Sequence, residues 1–261
     1  MAARPLAVIT GASTGIGYEL AKIAAGDGYD LIIASDEAEI NDRRHDFGVF
    51  GVEVKGVRAD LGTEAGVDKL LDCIGNRPVT LLMANAGIGA GGAFLDQDFH
   101  RAKDVVDLNV TGTISLIHAV GRRMRARGEG RILITGSIAD DIPGSFNLVY
   151  NASKAFVDSF AQGLRNGLKD SGVTVTCLMP GPTDTEFFER ADMLDTSVGQ
   201  DEKKDDPADV AADGYRAMMA GEAGVVAGSF MNKVQSLFSN ILPDNILAQM
   251  HRQMAEPKED A

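Results

Sequence analysis

Tyr150 and Lys154 are two residues whose types and spacing indicate proton transfer. Side chains four positions apart lie on one face of a helix. A phenol titrates near pH 10, too high for a base at neutral pH, but a cation about 4–6 Å away lowers its pKa by about 1 to 3. Such a pair could exchange a proton with an alcohol or a carbonyl oxygen. Tyr18 and Lys22 have the same spacing, so the pattern alone does not identify the reactive pair.

A glycine-rich turn joins the first predicted strand, residues 6–10, to the first predicted helix, residues 16–25, which ends at Gly26. Glycines let the backbone turn sharply and approach a pyrophosphate, and a helix N-terminus presents free N–H groups and a positive dipole end. Gly17 would let the helix lie close to the strand. An ordinary tight turn is the alternative. The residues predicted to hold a dinucleotide here are Gly11, Ser13, Thr14, Gly15 and Ile16.

Strands and helices alternate through the first 180 residues. Further strands are expected at residues 30–34, 52–59, 79–84, 131–135 and 173–179, and helices at residues 67–74, 102–125 and 153–168. This alternation implies right-handed crossovers and a doubly wound parallel sheet with helices on both faces, an α/β fold of the Rossmann type. No repeat and no linker interrupts it, so we expect a single domain over residues 1–261.

The sequence changes character after Pro180. Residues 184–206 are polar and acidic and are predicted to form a mobile flap, followed by a helix at 207–220 and a strand at 224–227. The C-terminal segment, residues 228–255, is apolar and interrupted by Pro243. Three roles remain open for it, in this order: covering the pocket, extending a subunit interface, or touching a membrane. The remaining residues, 256–261, are expected to be a solvated tail.

Composition excludes several classes of function. A net charge of −13 argues against nucleic acid and against anionic membranes as partners. No apolar run approaches the roughly 18 residues needed to span a bilayer, and the N-terminus leaves no room for a signal peptide. Cys73 and Cys177 are predicted to be buried free thiols, as in a cytoplasmic protein. Metal binding is not expected, since the histidines are scattered at His45, His100, His118 and His251.

The turn from Thr10 to Gly17 resembles the T-G-x-x-x-G-I-G pattern of the short-chain dehydrogenase/reductase family, and Tyr150 with Lys154 resembles its Y-x-x-x-K. Ser137 ends the preceding strand, which is the family's order of serine, tyrosine and lysine. Tyr18 lacks this context, and packing is its expected role. The resemblance implies an oxidoreductase that moves a hydride between a nicotinamide and a carbonyl or secondary alcohol.

Roles for the site residues follow from the resemblance. Tyr150 would be the general acid/base, Lys154 would also bind the nicotinamide ribose, and Ser137 would orient the substrate oxygen. Asn109 would hold a water that leads protons to solvent. Further dinucleotide contacts would be Asp60, Leu61, Asn85, Ala86, Gly87, Pro180, Gly181, Thr183 and Thr185. As alternatives, Asn85 and Asn109 could satisfy backbone groups, and Asp60 could cap a helix. The resemblance covers about residues 5–185.

Asp36 and Glu37, after the second predicted strand, indicate NAD rather than NADP. An acidic residue here binds the ribose 2′-hydroxyl, and like charges about 4 Å apart repel by about 4 kcal/mol at an effective dielectric of about 20. Thr14 stands where NADP enzymes of the family often carry a basic residue. Arg43 and Arg44 follow closely and could favour a 2′-phosphate. A helix N-cap is the alternative role for Asp36.

The substrate is less defined by sequence. The resemblance places its contacts at Ile138, Ala139, Asp140, Phe146, Asn147, Pro182, Phe187 and Phe188, with Met193 also on the flap. The apolar flap favours a partly hydrophobic carbonyl or alcohol, and Asp140 and Asp141 disfavour an anionic one.

The helices at 102–125 and 153–168 correspond to the subunit interface of relatives, so a homodimer or homotetramer is expected. An NADPH-dependent carbonyl reductase and a non-catalytic dinucleotide-binding sensor are the alternative functions.

Overall fold

The computed structural model describes residues 4–139, 142–228 and 243–257. Its described strands form one seven-stranded sheet in the order β3-β2-β1-β4-β5-β6-β7, and every neighbouring pair is parallel. The strands are β1 (Leu6–Thr10), β2 (Asp30–Ser35), β3 (Val54–Arg58), β4 (Val79–Ala84), β5 (Gly130–Thr135), β6 (Val173–Pro180) and β7 (Gly224–Ala227). The strand order reverses between β1 and β4, the place where parallel α/β sheets bind ligands at their carboxyl edge.

Helices cover both faces of the sheet, which is why the central strands are apolar on both sides. Successive residues of β1 point into different cores: Leu6 and Val8 belong to one, and Ala7 and Ile9 to the other. The described helices are α1 (Gly15–Gly26), α2 (Arg43–Gly48), α3 (Glu64–Ile74), α4 (Phe99–Val106), α5 (Thr113–Arg127), α6 (Leu148–Gly167), α7 (Phe187–Arg190), α8 (Pro207–Ala220) and α9 (Asp244–Ala255). The predicted doubly wound α/β fold is confirmed.

The prediction of one continuous α-helix over residues 102–125 is wrong. The chain forms α4, then a π-helical segment from Asp107 to Gly112, and then α5. Glycine at position 112 permits a close approach there, because a Cβ on it would lie 1.9 Å from the carbonyl oxygen of Leu61. The π-helical turn, which is wider than an α-helical turn, thus coincides with a contact to a distant part of the chain. The spacing of apolar residues in the sequence does not reveal such a contact.

Other predicted boundaries also move. The strand expected at 52–59 is shorter: β3 spans Val54–Arg58 and pairs along its length with Leu31–Ser35 of β2. The helix expected at 67–74 begins at Glu64, where the Thr63 hydroxyl accepts from the Gly66 N–H. The helix expected at 153–168 begins at Leu148. The flap, residues 184–206, is not wholly irregular, since it contains α7.

Two sequence expectations concern cysteines and membranes. Cys177 is buried, but Cys73 is only half-buried, because it lies at the margin of the core on α3. Across the parts of the chain that the structure describes, no helix is long and apolar enough to cross a membrane. Of the C-terminal segment, residues 229–242 lie outside the described residues, while α9 follows Pro243.

Candidate active site

One cleft runs along the carboxyl edge of β1, β2, β4, β5 and β6. Every residue predicted to contact the dinucleotide lines it: Gly11, Ser13, Thr14, Gly15, Ile16, Asp36, Asp60, Leu61, Asn85, Ala86, Gly87, Tyr150, Lys154, Pro180, Gly181, Thr183 and Thr185. The predicted substrate residues Ile138, Ala139, Asn147, Pro182, Phe187 and Phe188, with Ser137, line the same cleft. We call the part formed by this second group the substrate end.

The glycine turn is a backbone cradle that side chains would fill. Gly11 and Gly15 have φ angles of +65° and +58°, in the left-handed region that favours glycine. A Cβ on Gly15 would lie 2.9 Å from Cγ2 of Thr185, and a Cβ on Gly17 would lie 2.1 Å from the carbonyl oxygen of Gly11. Gly17 therefore allows the predicted close approach of α1. Since α1 begins at Gly15, its free N–H groups face the turn, which fits a dinucleotide pyrophosphate.

Asn85 joins the strands beneath the cradle. Its amide nitrogen donates to the carbonyl oxygen of Thr10 (3.2 Å), and its Oδ1 accepts from the Thr135 hydroxyl (3.0 Å). The Thr10 hydroxyl accepts in turn from the backbone N–H groups of Asn85 and Ala86. These bonds hold β1, β4 and β5 in register at the cleft, so the backbone-satisfying role considered for Asn85 is observed.

The end of β2 forms a chain of short polar contacts. The Ser13 hydroxyl donates to Ser35 Oγ (3.1 Å), and the Ser35 hydroxyl contacts Asp36 Oδ1 at 3.3 Å. Asp36 is exposed at the cleft and does not cap a helix, since the short 3-10 turn that follows has Glu37 at its N-cap. Arg43 does not point freely into the cleft, because its Nε donates to the carbonyl oxygen of Ser13 (2.8 Å).

Asp60 also makes a local contact, but it does not cap α3. Its Oδ1 accepts from the Gly62 N–H at 2.9 Å, whereas the N-cap of α3 is Thr63. Asp60 and Leu61 both line the cleft beyond the end of β3. This position is compatible with a contact to an adenine ring.

Lys154 and Tyr150 meet one helical turn apart on α6. The Lys154 ammonium lies 5.6 Å from the centre of the Tyr150 ring and donates to the carbonyl oxygen of Thr135 at 2.7 Å. Lys154 is only 5% exposed, and Ser137 only 8%. The Ser137 oxygen accepts from the Ala139 N–H (3.1 Å). Phenol, ammonium and hydroxyl therefore share one end of the cleft, where Lys154 and Ser137 are buried and Tyr150 is half-buried.

The second tyrosine–lysine pair lies elsewhere. The Tyr18 ring packs on Phe47 with centroids 5.0 Å apart, and its hydroxyl contacts Asp46. Burial raises the pKa of Tyr18, with the charge of Asp46 adding to the shift. Lys22 pairs with Glu19 at 3.2 Å. Packing is thus the observed role of Tyr18, and neither residue lines the cleft.

Asn109 lies behind the cleft, in the π-helical segment. Its Oδ1 accepts from the Ile88 N–H, and its Nδ2 donates to the Ile88 carbonyl oxygen, both at 2.9 Å. The same Nδ2 donates to Ser153 Oγ at 3.0 Å. Its side chain therefore ties α6 to the loop after β4. A Cβ on Gly87 would lie 3.2 Å from Asn109 Oδ1 and 3.4 Å from Lys154 Nζ, so this loop passes close to the lysine.

The flap closes over the substrate end. The Phe187 ring lies 5.0 Å from that of Tyr150. A Cβ on Gly89 would lie 2.7 Å from Phe187 Cζ, and the Gly91 N–H donates to the Ala191 carbonyl oxygen at 2.7 Å. Small residues in the loop after β4 thus let the flap approach Tyr150.

Two predicted substrate residues, Phe146 and Asp140, are not among the described residues that line the cleft. Phe146 does not line the cleft: it packs against the hydrophobic cluster around Phe188, and Arg252 lies 5.4 Å above its ring. Its φ of +62° lies in the left-handed region, just before α6. Asp140, with Asp141, lies outside the described residues.

Several cleft residues are missing from the sequence prediction. They include Ile142, Asn151, Glu186, Arg190, Val198, His251 and Met254, while Met193 was expected on the flap. Arg190 and Glu186 could have been suspected from their place on the flap. His251 and Met254 lie far along the chain, and no local pattern connects α9 with the cleft. Of the C-terminal segment, α9 contributes His251 and Met254 to the lining of the cleft.

Comparisons with known proteins agree with this geometry. The model of the short chain dehydrogenase family matches residues 5–193. An uncharacterised oxidoreductase of Staphylococcus saprophyticus is 33% identical over 212 residues, which are 79% of this chain and 87% of the relative. A short-chain dehydrogenase from Sphingobium yanoikuyae, solved in complex with NADPH, has a TM-score of 0.80 at 28% identity, covering 85% of this chain and 87% of that one.

A further solved structure extends the likeness of the fold to the C-terminus. A short chain dehydrogenase/reductase from Burkholderia phymatum, in complex with NAD, has a TM-score of 0.80 at 24% identity and covers 99% of this chain and 98% of that one. With the family match over most of the sequence and a cleft that carries the family's motif residues together, the chain belongs to the short-chain dehydrogenase family of NAD(P)-dependent oxidoreductases.

Proposed function

We propose that this protein transfers a hydride between NAD(H) and a carbonyl or secondary alcohol, with Tyr150 as the general acid/base. The observation that carries the proposal is the position of the Lys154 ammonium, 5.6 Å from the centre of the Tyr150 ring, in the cleft that Ser137 also lines. A sensor that only bound dinucleotide would not need a phenol and an ammonium at this spacing.

Each of the three residues has a separate task in the reaction. When bound, the nicotinamide gives or takes the hydride. The Ser137 hydroxyl, buried beside the Ala139 N–H, orients the substrate oxygen. Tyr150 donates a proton to that oxygen during reduction and removes it during oxidation. Lys154, fixed by the Thr135 carbonyl oxygen, stabilises the phenolate that remains.

Other residues would hold the dinucleotide or keep the site in place. The turn from Gly11 to Ile16 would bind the pyrophosphate, and Asp60 with Leu61 would contact the adenine. Lys154 would also bind the nicotinamide ribose. Asn109 acts on α6 through Ser153, and a water held near it would carry protons to solvent.

A preference for NAD over NADP rests on the charge at the end of β2. The carboxylate of Asp36 is exposed at the cleft, where it would accept from a ribose hydroxyl and repel a 2′-phosphate. The arginines near Asp36 already have other partners: Arg43 donates to the Ser13 carbonyl oxygen, Arg58 to the Asp36 carbonyl oxygen, Arg44 contacts His45, and Arg190 pairs with Glu37. The ratio of kcat/KM with NADH to that with NADPH tests this, and a preference for NADPH would refute it.

The reaction itself is tested by screening aldehydes and ketones with NADH and with NADPH, following the nicotinamide absorbance.

Tyr150→Phe should lower kcat by a factor of about 100 to 10,000, the usual contribution of general acid–base catalysis, and leave dinucleotide affinity largely intact. Tyr18→Phe is the matched control and should retain turnover. Turnover by Tyr150→Phe at the wild-type rate would contradict the mechanism, and a chain that bound dinucleotide without any turnover would be a sensor.

We also propose that the protein is a homodimer or homotetramer joined through α5 and α6. A groove between these helices is lined by apolar residues, among them Ile114, Ile117, Phe160, Leu164 and Leu168. Phe156, stacked on Phe160 at 6.0 Å, is 40% exposed. Light scattering during size-exclusion chromatography should show the oligomer, and Phe160→Arg should dissociate it. A monomeric wild type would contradict this.

A further inference from the structure

The C-terminal helix α9 forms one wall of the substrate end. Its buried residues Leu247, His251 and Ala255 are four positions apart and so lie on one face. Ala255 packs with Phe188 of the flap, and the Met254 carbonyl oxygen accepts from the Val198 N–H at 3.1 Å. The helix is therefore docked against the flap. His251 and Met254 line the same cleft as Tyr150.

His251 has a defined hydrogen-bonding state. Its Nδ1 lies 2.9 Å from the carbonyl oxygen of Ser145. A carbonyl oxygen can only accept, so Nδ1 carries the proton of a neutral ring and Nε2 carries a lone pair. Burial lowers the pKa of His251, although the bond to Ser145 opposes the shift, so the ring is neutral near pH 7. Within the described residues, Nε2 has no hydrogen-bond partner.

The substrate end that His251 helps to line contains many apolar residues. Ile138, Ile142, Phe188, Met193 and Val198 line the cleft with His251. Apolar pockets with a few placed polar groups fix the orientation of a ligand through those groups. Asn147 and Asn151, which line the same cleft, each have a side-chain oxygen that is buried without a partner in the described parts of the chain. His251 Nε2 is a further acceptor on this wall. A buried acceptor left unpaired is unfavourable, so a ligand that supplies a donor is favoured.

We propose that His251 is a specificity-determining residue whose Nε2 accepts a hydrogen bond from a hydroxyl group of the substrate, carried away from the reacting carbonyl. The substrate class is thus a largely apolar ketone or aldehyde, or the corresponding alcohol, that bears a second hydroxyl group. This inference rests on the proposed oxidoreductase function and deepens it.

Two substitutions separate this role from the structural one. His251→Asn keeps an amide N–H near the position of Nδ1, so it can still donate to the Ser145 carbonyl oxygen, but it has no atom at the position of Nε2. His251→Gln reaches the position of Nε2 with its side-chain oxygen and gives up the bond to Ser145. Met254→Leu is the control on the same wall, since it changes apolar contact without changing hydrogen bonding.

The probes are carbonyl compounds in matched pairs, each a parent compound and its hydroxylated form. One set is benzylacetone with its ortho-, meta- and para-hydroxylated derivatives, and aliphatic and cyclic ketones and aldehydes supply other spacings. For each pair, the measured quantity is the ratio of kcat/KM for the hydroxylated compound to that for the parent. A neutral hydrogen bond changes such a ratio by about two- to tenfold.

The wild type should prefer the hydroxylated member of at least one pair by about two- to tenfold, mainly through KM. His251→Asn should bring that ratio to about one, and His251→Gln and Met254→Leu should keep it. The inference is overturned if turnover occurs without any hydroxyl preference. It is also overturned if His251→Asn keeps the wild-type ratio or slows both members of a pair equally. If the wild type turns over no compound with NADH or NADPH, the proposed function itself fails.

Discussion

Arg190, on the short flap helix α7, forms an ion pair with Glu37, which directly follows the cleft-lining Asp36 at the end of β2. Arg190 also pairs with Glu186 within α7 and lines the cleft itself. The ion pair thus links the flap to the adenosine side of the cleft. Its side chains are 41% and 23% exposed, so we expect it to contribute no more than about 1 kcal/mol to global stability.

Arg190→Met should speed the release of NADH by about three- to fivefold, because the flap loses its link to the end of β2. The free energy of unfolding should change by less than about 1 kcal/mol. Stopped-flow fluorescence gives the release rate. Arg216→Met is the matched control, since Arg216 makes a similar local pair with Asp213 on α8 and does not line the cleft.

The exchanged pair Glu37→Arg with Arg190→Glu tests whether the link itself matters. It should restore slow release if the contact across the cleft is responsible. Equal release rates for the wild type and Arg190→Met would show that the ion pair does not hold the flap.

Gly89→Ala should raise the KM of a carbonyl substrate by about fivefold and leave NADH affinity within about twofold. The added Cβ would lie 2.7 Å from Phe187 Cζ and 3.0 Å from Ala191 Cβ, so α7 must shift away from Tyr150. Gly163→Ala is the control, because a Cβ there meets nothing within 4 Å. An unchanged KM would mean that the flap adapts without moving Phe187.

Asp36→Asn should improve kcat/KM with NADPH by about tenfold relative to NADH. The substitution removes a negative charge at the cleft but keeps the shape of the side chain, and solvent screening at this exposed position keeps the gain well below the buried limit. Steady-state kinetics with both dinucleotides measure it. If the ratio does not move, Asp36 does not lie near the 2′ position.

The lowered pKa of His251 should make the free energy of unfolding depend on pH in the acid range. Because burial lowers its pKa below the ordinary value of 6.5, the unfolded chain binds a proton that the folded chain resists. This contribution is therefore present above pH 6.5 and is lost as the pH falls below it, by at most about 1.4 kcal/mol per pH unit. In urea unfolding, the difference in free energy between the wild type and His251→Asn should be constant near pH 8 and change below pH 6.5, with the wild type losing more. Parallel curves throughout would contradict the shift.

Strong local signals account for the parts of the fold and site that the sequence predicts well. The apolar run from Leu6 to Thr10 stops at Gly11 because a buried parallel strand must give way to a turn. Gly11 and Gly15 in that turn have the left-handed backbone angles that glycine favours. Tyr150 could be separated from Tyr18 because the order of strand, Ser137 and helix is itself information in the sequence.

Long-range contacts account for the parts that sequence could not show. The bonds between Asn109 and Ile88 join residues 21 positions apart, and the π-helical segment that carries Asn109 has an ordinary helical periodicity in the sequence. The left-handed backbone of Phe146 is a conformation that phenylalanine rarely adopts, so residue type gave no sign of it.

The docking of α9 has a consequence for the order in which the site is made. The contact between His251 and Ser145 spans 106 residues, whereas every predicted dinucleotide contact lies at or before Thr185. During synthesis from the N-terminus, the cofactor cradle emerges from the ribosome well before the wall that would read the substrate. A nascent or prematurely terminated chain lacking α9 therefore carries every cradle residue but lacks the two cleft-lining residues of α9, His251 and Met254.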